Sequence, residues 1–130
     1  MASIFARIIQ GELPAYKVAE DEKHLAFLDI QPVNHGHVLV IPKMEIDQLF
    51  DMAPEELCEL MLFAQKVAVR MKKAIDCKRI AVTVIGLEVP HAHVHLIPIN
   101  TMDDCNFSKP KLEVDADLLQ SMADKIIAIS

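Results

Sequence analysis

Three short runs with apolar residues occur in the first third of the chain, and the third of them, at 37–41, is rich in β-branched residues. Each run is bounded by charged or turn-forming residues, which is typical of strands. Pro42 ends the third run, which therefore predicts a central strand with a defined end. Ahead of them, apolar residues recur at helical spacing between Ser3, a good N-cap, and Gly11, a helix stop signal. The pattern predicts a short helix at 3–10 and strands at 16–20, 24–28 and 37–41.

The rest of the chain predicts a long helix, a hairpin and a closing helix. Pro54 suits the first position of a helix, and Glu55 and Glu56 follow at its positive end. An apolar stripe then recurs every three or four residues as far as Ile75. The predicted elements are one helical turn at 45–50, the helix from Pro54, strands at 79–85 and 91–99, and a helix at 115–127. Together they predict an α+β fold, an antiparallel sheet of about five strands with one long helix and a C-terminal helix.

Composition narrows the class of protein. The chain has 130 residues and no internal repeat or linker, so we expect one domain, 1–130. Apolar residues make up 52% and charged residues 25%, which is a globular composition. The net charge of −6 argues against nucleic-acid binding, which usually needs a basic surface. We also expect no membrane span and no secretion signal.

The cysteines indicate a compartment. Cys58, Cys77 and Cys105 are odd in number and widely spaced, so they form neither a disulfide framework nor a Cys-x-x-Cys metal site. We therefore expect free thiols in a reducing cytoplasm.

The segment His91-Ala92-His93-Val94-His95 carries the clearest chemical signal. Three imidazoles alternate with small or apolar residues, and alternation along a strand places all three on one face. Titratable rings in a row are poor core material, so the segment predicts a functional site.

Three alternating histidines allow more than one chemistry. Two of them could chelate zinc, but the outer two start about 13 Å apart on a strand, so all three hardly reach one tetrahedral ion. A metal strip would need His35, His37 or a carboxylate as well, and we expect neither a metal nor another cofactor. Phosphate chemistry fits better, with one ring as nucleophile and its neighbours as donors. Three exposed surface histidines are the remaining alternative.

The triad and three upstream blocks resemble the histidine triad (HIT) superfamily. The triad continues into Leu96 and Ile97, as the family signature does. The upstream blocks are residues 3–14, 26–32 and 36–43. In their order and composition they are most similar to the Hint-like branch of nucleotide-binding proteins and purine nucleoside phosphoramidases.

The resemblance assigns roles to four histidines. It implies that His93 attacks the α-phosphorus of a nucleotide and forms a nucleotidyl-histidine, which water hydrolyses. His91 would support the nucleophile, and His95 would contact the phosphate or the leaving group. His37 matches a further histidine of the family that lies close to the triad.

The resemblance also implies a nucleotide pocket. Asp29 would accept the ribose hydroxyls, since a carboxylate can accept two hydrogen bonds from a diol. Gly86 would let the backbone approach the phosphate closely. The apolar residues that match the walls around the base and ribose are Ile4, Phe5, Ile8, Phe27, Ile30, Leu39 and Val89.

Two positions depart from the family pattern. Thr83 stands where an asparagine is usual, and the loop before the triad is shortened to residues 84–90. Glu88 occupies the position of a phosphate-facing hydroxyl, where a carboxylate would repel a phosphate. We hypothesise that Glu88 recognises an amine on the leaving group. The Cys-x-x-Cys that some zinc-carrying relatives have near the N-terminus is also missing, so we expect no structural zinc.

These features predict a cytoplasmic hydrolase that cleaves a bond at the α-phosphorus of a purine nucleotide. AMP or an adenosine phosphoramidate would be its ligand, and the resemblance implies a homodimer with the helix from Pro54 at the interface. The alternatives are a Fhit-like dinucleoside polyphosphate hydrolase, a nucleotide-binding sensor or scaffold with little turnover, and, last, a metal-binding strip.

Overall fold

A computed structural model describes residues 2–129 of the chain; the first and last residues of the predicted domain lie outside this range. Five strands form one antiparallel sheet in the order β1-β2-β3-β5-β4, accompanied by three α-helices. This confirms the predicted α+β fold. The strands are β1 Lys17–Glu20, β2 His24–Leu28, β3 Val38–Pro42, β4 Arg79–Thr83 and β5 Val94–Ile99. The α-helices are α1 Ile4–Ile9, α2 Pro54–Ala74 and α3 Ala116–Ile127, and short 3-10 helices cover Leu49–Asp51 and Met102–Cys105.

The central strands are buried on both faces of the sheet, which explains their nearly continuous apolar sequences. In β3, Val38 and Val40 belong to the main core with α2 and α3. Leu39 and Ile41 point the other way and pack with α1 in a smaller cluster. The alternation of β3 therefore divides the molecule into a thick layer and a thin one.

The helices begin where the sequence predicts. Ser3 caps α1, since its hydroxyl accepts a hydrogen bond from the Ala6 N–H at 3.0 Å. Pro54 is the first residue of α2. Asp115 caps α3 by accepting from the Leu118 N–H at 2.8 Å. Ser3 and Asp115 each satisfy a backbone N–H that has no partner within its helix. Pro54 has no N–H and therefore suits the first position of a helix, where that group would have no partner.

The strand predicted over 91–99 begins only at Val94, and the strand predicted over 79–85 ends at Thr83. The reason is an alternative backbone partner, because the Ala92 N–H donates to the Ile46 carbonyl at 2.7 Å instead of to a strand. Thr83 pairs with His95, so the hairpin has the predicted partners over a shorter length.

Two further boundaries differ from the prediction. The strand predicted to end at Ile41 extends to Pro42, which is the last residue of β3 and lies opposite His24. The helical turn predicted at 45–50 is a 3-10 turn over Leu49–Asp51. No helix within residues 2–129 is both long and apolar enough to cross a membrane.

Replacement of Gly36 with alanine should lower the free energy of unfolding by about 2–3 kcal/mol. Gly36 has a φ of +84°, and an added Cβ would lie 2.7 Å from Ile75 Cδ1 and 3.1 Å from Pro98 Cγ. The end of Ile75 can move, but the proline ring has little freedom, so crowding adds to the backbone strain. Urea unfolding measures the change.

Gly11 provides the matched control. Its φ is +80°, but an added Cβ would meet nothing within 4 Å. Gly11→Ala should therefore cost only the backbone strain, about 1 kcal/mol. Equal losses in both variants would show that crowding at Gly36 contributes nothing.

Candidate active site

A cavity of about 530 Å³ opens on the α1 side of the sheet, a size that suits a small ligand. Most of the residues that the sequence assigns to a nucleotide pocket line it. They are Ile4, Phe5, Ile8, Phe27, Asp29, Ile30, Leu39, Glu88, Val89, His93 and His95. The lining also includes residues that sequence reasoning did not select, namely Leu13, Pro14, Ala15, Leu28 and Gln31.

Four predicted site residues are not in the cavity lining. His91 and His37 are buried behind it and contact His93 and His95, respectively. Thr83 lies beside His95 in the sheet. Gly86 has a φ of +75° in the exposed loop before the triad.

The hydrogen bonds of His93 determine which ring nitrogen is free. Nδ1 lies 2.6 Å from the carbonyl oxygen of His91. A carbonyl only accepts, so Nδ1 carries the proton and donates. In the neutral ring Nε2 then has the lone pair, and His93 lines the cavity. The Phe5 ring stands edge-on to the imidazole with centres 5.0 Å apart, which restricts its orientation. His93 therefore has the electronic form of a nucleophile.

His91 holds the backbone that orients His93. Its Nε2 donates to the Pro42 carbonyl at 2.8 Å, so its Nδ1 accepts from the Ser3 hydroxyl at 3.2 Å. The same hydroxyl accepts from the Ala6 N–H, which makes Ser3 both the cap of α1 and a contact of the triad. The role of Ser3 toward His91 is absent from the sequence prediction, which identified it only as a cap.

His37 and His95 form a second chain of fixed tautomers. The Val33 N–H donates to His37 Nδ1 at 3.1 Å, so His37 carries its proton on Nε2. This Nε2 donates to His95 Nδ1 at 2.9 Å. The neutral His95 ring must then carry its own proton on Nε2, where it is a donor beside the lone pair of His93.

Both rings of this chain are held neutral. Burial lowers the pKa of His37 to about 3, and repulsion from a proton on His95 and from the charge of Lys111 acts in the same direction. Burial likewise lowers the pKa of His95 to about 4, with contributions from His93 and Lys111. The 3.8 Å approach of His37 Nδ1 to Asp29 is therefore not an ion pair.

Asp29 lies at the end of β2 with its side chain partly buried in the cavity wall. Its Oδ1 accepts from the Gln31 N–H at 2.9 Å. Burial raises its pKa, and the negative charge of Glu88 acts in the same direction. Hydrogen-bond donors on a ligand, such as a diol, would replace the water that this carboxylate loses.

A segment that sequence reasoning missed packs against His37 and His95. Residues 106–114, here called the strap, run past the β2–β3 connection, and the Leu112 N–H donates to the Pro32 carbonyl at 2.9 Å. The Phe107 ring lies edge-on to His95 with centres 5.0 Å apart. Lys111 Nζ lies 4.9 Å from the centre of the Phe107 ring. The only signal in the sequence was an aromatic residue followed by Lys109 and Lys111, and without the fold this signal does not locate the segment beside the histidines.

The ring nitrogens are engaged in hydrogen bonds that compete with metal binding. Both nitrogens of His91 and both of His37 have partners. Within residues 2–129, no group of three or more His, Cys, Asp or Glu side chains is placed to hold a metal ion. The arrangement suits nucleophilic attack, with a lone pair on His93 beside a donor on His95.

Comparisons with known proteins identify the family of the chain. The HIT domain model matches residues 10–102. An uncharacterized HIT-like protein of Methanocaldococcus jannaschii is 44% identical over 99 residues, 73% of this chain and 77% of that protein. The adenosine 5'-monophosphoramidase of Saccharomyces cerevisiae is 35% identical over 131 residues, 98% of this chain and 82% of that protein. A crystal structure of a Hit-like protein from Bartonella henselae has a TM-score of 0.85 at 33% identity and covers 98% of this chain and 96% of its own. The chain therefore belongs to the HIT family, as its histidine pattern predicted.

Proposed function

We propose that this protein is an enzyme that hydrolyses a bond to the α-phosphorus of a purine nucleotide, with adenosine phosphoramidates as its substrates. The observation that carries the proposal is the free lone pair of His93 Nε2 in the cavity, beside the Nε2–H donor of His95. The name of the yeast relative, adenosine 5'-monophosphoramidase, supports the same reaction.

The reaction proceeds in two displacements. His93 Nε2 attacks the α-phosphorus, a bond from nitrogen to phosphorus forms, and the bond to the leaving amine breaks, with one proton taken from solvent by the amine. His95 Nε2–H donates a hydrogen bond to a phosphoryl oxygen as negative charge accumulates on it. Water then attacks the nucleotidyl-histidine, releases the nucleoside monophosphate and returns a proton to solvent. His91 and His37 position the two reacting rings.

The nucleoside part of the substrate occupies the apolar end of the cavity. Asp29 accepts hydrogen bonds from the two ribose hydroxyls, one oxygen being oriented by the Gln31 N–H. The base lies against the apolar walls that Phe5, Phe27 and Leu39 provide.

Mass spectrometry tests the proposal. Protein mixed with adenosine 5'-phosphoramidate and quenched in denaturant should carry one adenylyl group on the peptide that contains His93. Binding of the nucleotide with neither adduct nor turnover would favour the sensor or scaffold. Turnover of diadenosine polyphosphates in preference to phosphoramidates would favour the Fhit-like alternative, and stoichiometric zinc by elemental analysis would favour the metal strip.

Glu88 sets a preference among leaving groups in this proposal. It lines the cavity and is exposed, so it can meet a positively charged amine without first losing its hydration. We compare kcat/KM for a lysyl phosphoramidate with kcat/KM for an uncharged alkyl phosphoramidate. Glu88→Ser should reduce the ratio of the first value to the second by about threefold. Glu55→Ser, at the start of α2, is the control that removes a carboxylate far from the cavity. An unchanged ratio in Glu88→Ser would exclude the preference.

We also infer a homodimer in which two sheets join at the β4 edge. Val82 of this edge strand is 54% exposed, and Leu62 on α2 is 58% exposed. Apolar side chains on an unpaired edge favour pairing with a second copy. Sedimentation equilibrium giving only monomer at micromolar concentration would contradict this.

A reducing cytoplasm is the location that fits the thiols. Cys58, Cys77 and Cys105 are all free, and Cys58 is exposed. Exposed free thiols are typical of proteins in reducing compartments.

A further inference from the structure

The cavity has an unbalanced charge for a phosphate site. Asp29 and Glu88 line it, but its described lining contains no lysine or arginine. The neutral rings of His37 and His95 supply hydrogen bonds and no charge. A nucleotide phosphate bound beside two carboxylates is repelled unless a cation lies close to it.

Lys111 is the cation that the strap brings to this place. Its Nζ lies 4.9 Å from the centre of the Phe107 ring, and the same ring packs on His95. The ammonium and the catalytic imidazole thus contact one aromatic ring, on which a cation–π interaction holds the ammonium. The positive charge of Lys111 acts to lower the pKa of Asp29, His37 and His95, so the ammonium lies near all three groups.

The ammonium is also not engaged by an acidic partner. Within residues 2–129, no carboxylate oxygen lies within 4.0 Å of Lys111 Nζ, which donates only to the Phe107 carbonyl at 3.4 Å. Lys109, on the same strap, is by contrast paired with Asp103 at 2.7 Å. A half-buried, unpaired lysine beside a phosphate site is available for an anionic ligand.

We propose that Lys111 binds the phosphoryl oxygens of the substrate, with Phe107 as the platform that holds the ammonium toward His95. Lys111 then acts with His95 to distinguish a nucleotide from its nucleoside. The inference rests on the proposed function, because it takes a nucleotide as the ligand.

Calorimetric titration with AMP and with adenosine tests this inference. Lys111→Met should weaken AMP binding about tenfold and leave adenosine binding unchanged, since only AMP has the phosphate. Lys111→Arg should keep most of the AMP affinity. Lys111→Gln repeats the comparison with a polar side chain of similar length. Lys109→Met, which removes the neighbouring exposed lysine, should change neither affinity.

The outcomes separate the inference from the proposed function. Equal weakening of AMP and adenosine in Lys111→Met would mean that the lysine only holds the strap in place, and no weakening would mean that it does not meet the phosphate. Either result overturns the inference while the nucleotide function remains. Wild-type protein that binds no AMP would overturn both.

Discussion

Replacement of His93 with alanine should lower kcat/KM for adenosine phosphoramidate by at least about 10⁴-fold and abolish the adenylyl adduct. The Nδ1–H of His93 donates to the His91 carbonyl, which leaves its Nε2 as the lone pair that faces the cavity. None of the neighbouring rings can replace it. His95 carries its proton on the nitrogen toward the site, and His91 has both nitrogens in hydrogen bonds. Steady-state kinetics on both proteins measures the loss.

His24→Ala is the matched control for this variant. His24 and His93 are each 6% exposed, so both substitutions remove a buried imidazole. His24 stacks on Phe63 on the opposite face of the sheet and bonds to Asp21 at 3.0 Å. We expect His24→Ala to lose stability but to keep kcat/KM within about twofold, because it is independent of the site. Similar losses of activity in both variants would show that folding, not nucleophilic attack, underlies the effect of His93→Ala.

The fold was predictable because the burial of its strands and helices requires apolar residues in regular patterns along the sequence. The three apolar runs before Pro42 correspond to β1, β2 and β3 with small shifts of their ends. Pro54 and the stripe behind it predicted α2. Periodicity and helix caps are local signals, so they can be recognised without knowledge of the tertiary structure.

The form of each histidine was not predictable, because backbone groups from distant segments determine it. The Val33 N–H fixes the tautomer of His37, and the Pro42 carbonyl fixes that of His91. The strand at the triad begins late for the same kind of reason, since the backbone of Ala92 bonds to Ile46. Alternation along a strand did not predict these partners, and only His95 of the triad lies within β5.

The position of the strap could not be predicted from the sequence either. Phe107 and Lys111 belong to a segment without regular periodicity, so no pattern assigns it to a layer of the fold. Its position depends on contacts such as the Leu112 N–H with the Pro32 carbonyl, which join parts of the chain about 80 residues apart. Chemistry contributed by such loops becomes visible only once the fold is known.

The protein should lose about 2 kcal/mol of unfolding free energy for each of His37 and His95 between about pH 7 and pH 5. Their pKa values in the folded state are about 3 and about 4, whereas an unfolded histidine has a pKa of 6.5. Below pH 6.5 the unfolded chain therefore binds protons that the folded chain does not, so stability falls with falling pH. The loss continues until the folded rings themselves titrate.

Urea unfolding at several pH values measures this slope, and substitution separates the two rings. His37→Gln and His95→Gln should each remove about half of the predicted loss, whatever the stability of each variant at neutral pH. The raised pKa of Asp29 acts with the opposite sign, because a carboxyl that holds its proton in the folded state gains stability on acidification. The comparison therefore uses the difference between wild type and variant, in which Asp29 is common to both.

His35→Gln, which removes an exposed imidazole outside the hydrogen-bonded chain, is the control. If the slope of unfolding free energy against pH is the same in wild type, His37→Gln and His95→Gln, these rings take up protons in the folded protein as they do in the unfolded chain. His95 would then be a charged donor to the phosphate at acidic pH.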